Sequence, residues 1–218
     1  MGASTRRKKA FLLAHPWCCF CGGGVPATEV EHLPSRACFD KRLYPDGFEF
    51  PTCHACNAST SSDEQVVALL SRALCNPAIM ALPYETQKYM AGVANNNVDV
   101  FAEMANGAKR LDSEHGLFGA GEATHRAFQS VLERWAKAFH YKETRTIVPP
   151  NGFIYVAWFT AANAHEIPPA AVEGHAHILR RNGKNIGDQF MYVTRNEPVR
   201  WSRFVGQVGG QVKVYSGC

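Results

Sequence analysis

Two C-x2-C cysteine pairs are the most informative chemical feature of the chain. Their members are Cys18, Cys21, Cys53 and Cys56. Each C-x2-C turn holds two thiolates about a metal's width apart, so two turns supply the four soft ligands of a closed tetrahedral zinc site. Cys19 is an alternative ligand in the first turn, but Gly22 favours Cys21 as its second thiolate, because a left-handed residue often follows such a turn. We therefore expect a structural Zn²⁺ that does no hydrolysis itself.

An acid, a histidine and an asparagine lie between and just after these pairs. They are Glu31, His32 and Asn57. An imidazole can take a proton from water, and carboxylate and amide oxygens suit a hard divalent cation. Neighbouring residues of an extended segment point to opposite faces. Glu31 and His32 can therefore serve one site only if the strand bends, which the following Pro34 favours.

The order Cys-x-x-Cys-Gly, Glu-His-x-Pro, Cys-x-x-Cys-Asn resembles the zinc-containing branch of the HNH endonucleases over residues 15–66. The resemblance implies a ββα-metal fold in which His32 is the general base that deprotonates the attacking water. It also implies that Glu31 and Asn57 hold a catalytic Mg²⁺ or Mn²⁺ against the scissile phosphate. The expected activity is metal-dependent hydrolysis of phosphodiester bonds in DNA, although RNA fits the same residues.

The chain departs from the family pattern in the segment before the second cysteine pair. The family usually has an asparagine there that orients the imidazole, whereas this chain reads Asp46-Gly47-Phe48-Glu49-Phe50. Asp46, Glu49 or a backbone carbonyl is expected to orient the ring instead. The lysine that often follows the second pair is also absent. A non-catalytic zinc-ribbon protein that binds nucleic acid is therefore the alternative function, and a protein-interaction scaffold is a third.

Each candidate side chain also has an ordinary structural interpretation. His32 could be a hydrogen-bonded histidine within the zinc unit, and Glu31 could be a surface carboxylate. Asn57 could cap the helix that starts near it. His54, inside the second pair, is expected to stack or face solvent, and the spacing of His175 and His177 makes only a weak second metal site.

The charge of the chain suits a polyanionic partner without demonstrating one. The formal net charge is +4. Arg36, Lys41 and Arg42 follow the Glu-His pair, and we expect them to contact phosphates, which positions nucleic acid without reading its sequence. Ordinary solvated charge explains each of them equally well.

We predict an α+β fold: a zinc-stapled ββα-metal (HNH) unit at 10–66, a helical region at 67–146 and an antiparallel β region at 147–218. Apolar periodicity predicts helices from Ser62 to before Asn76, near 83–94, near 97–110 and over 122–141. Runs rich in β-branched and aromatic residues predict strands at 153–159, 175–180, 189–194 and 199–215. Residues 67–218 are expected to dock substrate, a partner protein or a second copy of the chain.

The N-terminus does not read as a secretory signal. The basic residues Arg6 to Lys9 precede an apolar run that stops at His15-Pro16, short of the roughly 7–15 residues of a signal core. No later run reaches the roughly 20 apolar residues of a membrane span. We therefore expect a cytoplasmic protein of bacterial or phage origin.

Overall fold

The fold is taken from a computed structural model of the chain. It describes residues 3–39, 42, 44–73, 84–110, 116–117, 119–159, 180–181, 190–197, 201–208 and 212–217. These residues form mixed helix and strand, mostly helical, with a small two-stranded antiparallel sheet near the N-terminus. None of the described helices is both long and apolar enough to cross a bilayer.

The N-terminal part has the order helix, strand, strand, helix. Its elements are α1 (Ala3–Ala14), β1 (Glu29–His32), β2 (Glu49–Thr52) and α2 (His54–Ser59). β1 and β2 pair antiparallel, with Glu31 opposite Phe50 and His32 opposite Glu49. A 3₁₀ turn at Arg36–Cys38 lies in the connection between the strands. A strand–strand–helix order is therefore present in this part of the chain, whereas α1 was not anticipated.

Three helices follow α2. They are α3 (Ser61–Ala73), α4 (Tyr84–Asn96) and α5 (Val98–Asn106). The helices predicted near 83–94 and 97–110 are confirmed, and the first one begins at Ser61, next to the predicted Ser62. The side chain of Gln65 in α3 accepts a hydrogen bond from Asn96 of α4. The predicted end of that helix before Asn76 lies outside the described residues.

The long helix α6 (Glu122–Thr144) forms the centre of the core. All seven residues of its predicted apolar stripe are buried: Ala127, Phe128, Val131, Leu132, Trp135, Ala138 and Phe139. The ring of Phe139 makes edge contacts with Phe48 and Phe50, at centroid distances of 5.8 and 6.1 Å. Helix α6 therefore packs directly against β2 and holds the two-stranded sheet to the rest of the core.

Short strand segments complete the described chain. They are β3 (Lys109–Arg110), β4 (Gly116–Leu117), β5 (Tyr155–Phe159), β6 (Arg180–Arg181), β7 (Phe190–Glu197), β8 (Trp201–Val208) and β9 (Val212–Gly217). β3 pairs with β4, and the backbones of the last five pair antiparallel in the order β5-β9-β8-β7-β6. The single strand predicted over 199–215 is therefore two segments. The remainder of the predicted strand at 175–180, with His175 and His177, lies outside the described residues.

The division of the chain stays a prediction. The buried residues form one continuous cluster that runs from Cys18 through α3 and α6 to Val156. The proposed boundaries at 66/67 and 146/147, and a separate antiparallel β region beyond them, are not decided by backbone pairing alone.

Candidate metal centre and adjoining polar site

The four predicted cysteines come together at one point. The sulfur atoms of Cys18, Cys21, Cys53 and Cys56 all lie within 4.8 Å of one another. Cys21 Sγ lies 3.2 Å from that of Cys56 and 3.5 Å from that of Cys53. A tetrahedral zinc with Zn–S bonds of about 2.3 Å separates its sulfurs by about 3.8 Å, so this cluster could hold a metal ion such as zinc. Cys19 is buried but does not belong to the cluster.

A backbone hydrogen bond and a left-handed glycine position the thiols of the first cysteine pair. The Cys18 N–H donates to the Val25 carbonyl at 2.8 Å, which closes the turn. Gly22 follows with φ of 71°, so the left-handed residue predicted after this pair is confirmed. A Cβ on Gly22 would lie 2.7 Å from the Pro150 ring, so glycine also permits this close approach.

The second pair is formed by the start of helix α2. Cys53 is the N-cap residue, and its sulfur accepts a hydrogen bond from the Cys56 N–H at 3.5 Å. Burial acts to raise the pKa of Cys53, but this bond and the neighbouring thiols bring it down to about 7. A thiol with a lowered pKa gives up its proton to a metal more readily.

Glu31 lies in a buried ion pair with helix α6. Its side chain is 5% exposed. Arg134 Nε donates to Glu31 Oε1 at 2.6 Å, and Arg134 Nη2 donates to Glu31 Oε2 and to the Thr52 hydroxyl. The Arg134 guanidinium also lies 4.0 Å from the centroid of the Phe20 ring. Both carboxylate oxygens of Glu31 are therefore occupied, and the interpretation of Glu31 as a surface carboxylate is wrong.

A second carboxyl group, that of Glu64 in α3, joins this pair. Glu64 hydrogen-bonds with Glu31 and with Ser35, and the Thr60 hydroxyl donates to Glu64 Oε1 at 3.3 Å. Burial, followed by the charge of Glu31, raises the pKa of Glu64 to about 8. Burial also raises the pKa of Glu31, against the opposing effect of Arg134. With Glu64 protonated, one carboxylate balances one guanidinium, as a buried site requires.

His32 has different surroundings. It is the last residue of β1, is half-buried, and its Nε2 lies 2.8 Å from Arg36 Nη2. Because a guanidinium only donates, Nε2 accepts this bond and the imidazole is neutral. Burial, followed by the charge of Arg36, lowers the pKa of His32 to about 4. The Tyr44 ring meets the imidazole edge-on, with centroids 4.5 Å apart, and the Arg36 guanidinium lies 4.3 Å from the same ring.

The expectation that Asp46, Glu49 or a carbonyl orients the imidazole is wrong for Nε2, which is paired with a cation. Asp46 is exposed, and Glu49 is the backbone partner of His32 across the sheet. Arg36 itself has a buried Nε with no hydrogen-bond partner among the described residues. That donor is buried, so an anionic oxygen can pair with it only after the Arg36 side chain moves.

Asn57 pairs with Glu29 and not with Glu31. Its Nδ2 donates to Glu29 Oε2, while His54 Nδ1 lies 2.8 Å from Glu29 Oε1. The interpretation of Asn57 as a helix cap is wrong, because Asn57 lies inside α2 and Cys53 provides the cap. The side chain of His54 is 85% exposed, as expected. The amide oxygen of Asn57 has no partner among the described residues.

The structure therefore brings the four cysteines together but gives Glu31, His32 and Asn57 separate partners. A divalent cation at Glu31 does not fit this arrangement, because Arg134 takes both oxygens in a buried position. Of the predicted phosphate contacts, Arg36 is hydrogen-bonded to His32. Arg42 is exposed with φ of 55°, and Lys41 lies outside the described residues.

Sequence reasoning missed Arg134, Glu64 and Tyr44. Arg134 carried a usable signal, because it lies three residues after Val131 and four before Ala138, on the arc of the apolar stripe. A charged residue on a buried arc requires a counter-ion. Glu64 and Tyr44 had no comparable signal, because carboxylates are common in a first helical turn and Tyr44 lies in an irregular segment.

Comparison of the chain with protein-family models gave no match. Comparisons with curated proteins and with solved structures gave no match either. Membership of the HNH family stays a prediction that rests on the motifs.

Proposed function

We propose that the chain is a zinc-stabilised HNH-type endonuclease that hydrolyses phosphodiester bonds in nucleic acid, with DNA as the expected substrate and His32 as the general base. One observation carries the proposal. A neutral, half-buried imidazole ends β1 of a strand–strand–helix unit organised around four cysteines, and its Nε2 lies beside an arginine with an unsatisfied donor. A general base must be unprotonated at working pH and have a pKa near that pH. The pKa of about 4 meets the first requirement, and departure of the Arg36 charge acts to raise it toward the second.

Arg36 links substrate binding to activation of His32. In the free protein the guanidinium occupies the Nε2 lone pair, so His32 cannot accept a proton from water. A scissile phosphate offers the guanidinium a stronger, charge-assisted hydrogen bond. When Arg36 moves to the phosphate, Nε2 is free to take a proton from water while that water's oxygen bonds to phosphorus. The P–O3′ bond then breaks, and the departing oxygen takes a proton from solvent.

The residues fit a catalytic divalent metal only in part. The amide oxygen of Asn57 suits Mg²⁺ or Mn²⁺, whereas Glu31 is held by Arg134. No step of the reaction is therefore assigned to a metal bound at Glu31. A metal at such a site in the HNH family would offset negative charge on the phosphate, and here Arg36 is the positive group next to the base.

The buried Glu31–Arg134 pair favours a second candidate function. If Glu31 serves only to hold β1 against α6, the unit can bind nucleic acid without cleaving it. A non-catalytic zinc-ribbon protein that binds nucleic acid is therefore the alternative, and its phosphate contacts would include Arg36.

A plasmid-nicking assay tests the proposal. Supercoiled DNA is incubated with wild type, His32→Ala, and His54→Ala as a matched control, each with Mg²⁺ and with Mn²⁺. We expect wild type and the exposed-histidine control to nick at similar rates, while His32→Ala falls by about a hundredfold or more. Equal nicking by His32→Ala would rule out His32 as the base. Binding of DNA without cleavage by any of the three proteins would establish the alternative.

A further inference from the structure

A cleft of about 390 Å³ lies between α3, α4 and the segment that follows the 3₁₀ turn. Its lining side chains are polar or basic, apart from one glycine. They are Arg42, Gln65, Lys88, Tyr89, Gly92 and Asn96. The volume falls within the roughly 300–1,000 Å³ of small-ligand sites. The cleft therefore combines two cations, two amides and an aromatic ring with no carboxylate among its described lining residues.

The cleft is built by contacts that fix its walls. Arg72 of α3 donates to the carbonyl of Ala37 at 2.6 Å and to that of Phe39, and the Arg42 N–H donates to the Phe39 carbonyl at 3.2 Å. These bonds tie the segment carrying Arg36 and Arg42 to helix α3. Arg36, which contacts His32, and Arg42, which lines the cleft, therefore both lie close to residues anchored on α3.

The facing walls come from α3 and α4. Asn96 Nδ2 donates to Gln65 Oε1 at 3.0 Å, which links the two helices at the cleft. A Cβ on Gly92 would lie 2.9 Å from Gln65 Oε1, so glycine at this position permits the close approach of the Gln65 side chain to α4.

A second cleft shows that the basic lining is specific to the first. It measures about 470 Å³, shares Asn96, and is lined by Asp63, Asp99 and Arg126 among others. Two carboxylates and one guanidinium make it acidic. The overall charge of +4 does not by itself make every cleft basic, so the pairing of Arg42 with Lys88 is a local feature.

We propose that the basic cleft binds a single-stranded segment of nucleic acid, with Arg42 and Lys88 on phosphates and a base stacking on the face of the Tyr89 ring opposite Arg72, whose guanidinium lies 5.2 Å from the ring centroid. This inference rests on the proposed function, because it names single-stranded nucleic acid as the substrate class of the proposed nuclease. Sites for single strands combine a positively charged groove with aromatic side chains on which bases stack. The amides of Gln65 and Asn96 add hydrogen-bonding groups for base edges. Lys88 is exposed and has no carboxylate partner among the described side chains.

The test measures binding separately from cleavage. Full-length protein, without added Mg²⁺ or Mn²⁺, is titrated into a fluorescein-labelled poly-dT of about 12 nucleotides over a range of salt concentrations. The slope of log K against log salt is negative, and each lost phosphate contact lowers its magnitude by about 0.7 for single strands. We expect Lys88→Gln to lower it by about 0.7 and Arg42→Gln/Lys88→Gln by about 1.4. The control Arg126→Gln removes one charge at the acidic cleft and leaves the slope unchanged.

A stacking variant gives an independent readout. Tyr89→Leu should reduce the preference for poly-dT over duplex DNA about fivefold or more. Its thermal melting is compared with wild type, and the exposed Lys88 variant gives the deciding result if Tyr89→Leu unfolds. Unchanged slopes for both charge variants would overturn the proposal, as would equally effective competition by polyglutamate, which would indicate an acidic protein segment. The titration contains no cleavage step, so failure of the base assignment in the nicking assay leaves this result standing.

Discussion

The two sides of strand β1 place an acid and a base in very different surroundings. Glu31 is buried, and Arg134 of α6 donates to both of its oxygens. His32, the next residue, is half-buried and shares one hydrogen bond with Arg36. Removing one partner from a buried ion pair leaves a desolvated charge, whereas a half-exposed pair can exchange its partner for water or a ligand.

The motif alone assigns Glu31 and His32 to one reaction, whereas their different burial indicates a separate role for each. The inward residue, Glu31, connects β1 to α6 through Arg134 and also contacts Glu64 of α3. In the proposed reaction, the lone pair of the outward residue, His32, is freed when Arg36 moves to a phosphate. Adjacent residues of a recognisable motif can therefore differ in function because burial differs between the faces of a strand.

The largest expected effect comes from disrupting the four-cysteine cluster, because both faces of β1 depend on it. Cys53→Ser should abolish metal binding and unfold β1, β2 and α2 together, because structural zinc contributes apparent binding energies of about 10–16 kcal/mol. The measurements are zinc per chain by elemental analysis and circular dichroism during heating. Cys19→Ala, at a buried thiol outside the cluster, should retain one zinc. Wild-type zinc content and melting in Cys53→Ser would contradict the assignment.

The next largest effect is expected from removing Arg134, the ion-pair partner of Glu31 on the inward face of β1. Arg134→Ala should lower the free energy of unfolding by about 3–5 kcal/mol, because it leaves the carboxylate of Glu31 buried and unpaired. Urea denaturation measures the loss. Arg126→Ala, an exposed arginine on the same helix, should change stability by no more than about 0.5 kcal/mol.

A double variant sharpens this result. Glu31→Leu/Arg134→Met removes both charges and keeps apolar volume, so it should recover most of the stability lost in Arg134→Ala. Losses of the same size in Arg134→Ala and Arg126→Ala would show that the ion pair is not the connection between β1 and α6.

The sequence predicted the metal cluster and the core helix because each depends on local, regular spacing. A C-x2-C turn fixes its own geometry, and the stripe from Ala127 to Phe139 repeats with the helical period, so neither needs knowledge of distant residues. Glu31 is different: its partner Arg134 lies 103 residues away in sequence. No spacing rule connects the two, and the side chain that would neutralise a buried acid depends on how α6 packs.

The polar site was predictable in residue type but not in pairing. His32 and Arg36 were both singled out, yet their contact depends on the 3₁₀ turn at Arg36–Cys38 that returns the guanidinium to the imidazole. Asp46, Glu49 or a backbone carbonyl was expected to orient the ring in place of the family's asparagine, whereas the structure places the cation Arg36 on Nε2. That exchange changes the sign of the effect on the pKa of His32, from an increase to a decrease.

The smallest expected effect concerns the outward side and appears as a change with pH. Because the pKa of His32 falls to about 4 in the folded chain, below its ordinary value near 6.5, the unfolded chain binds an extra proton between these two values. His32 therefore contributes stability that is complete above about pH 6.5 and is lost as the pH falls toward 4. Titration of the His32 ring protons by NMR should give a midpoint well below 6.5.

Arg36→Gln tests the second cause of this shift. Burial remains in the variant but the neighbouring charge is gone, so the midpoint should rise toward 6.5 without reaching it. Lys88→Gln, at the basic cleft, removes a charge of the same sign and should leave the His32 midpoint unchanged. A midpoint near 6.5 in the wild-type protein would mean that the imidazole is not desolvated beside Arg36, and the contrast between the two sides of β1 would then be lost.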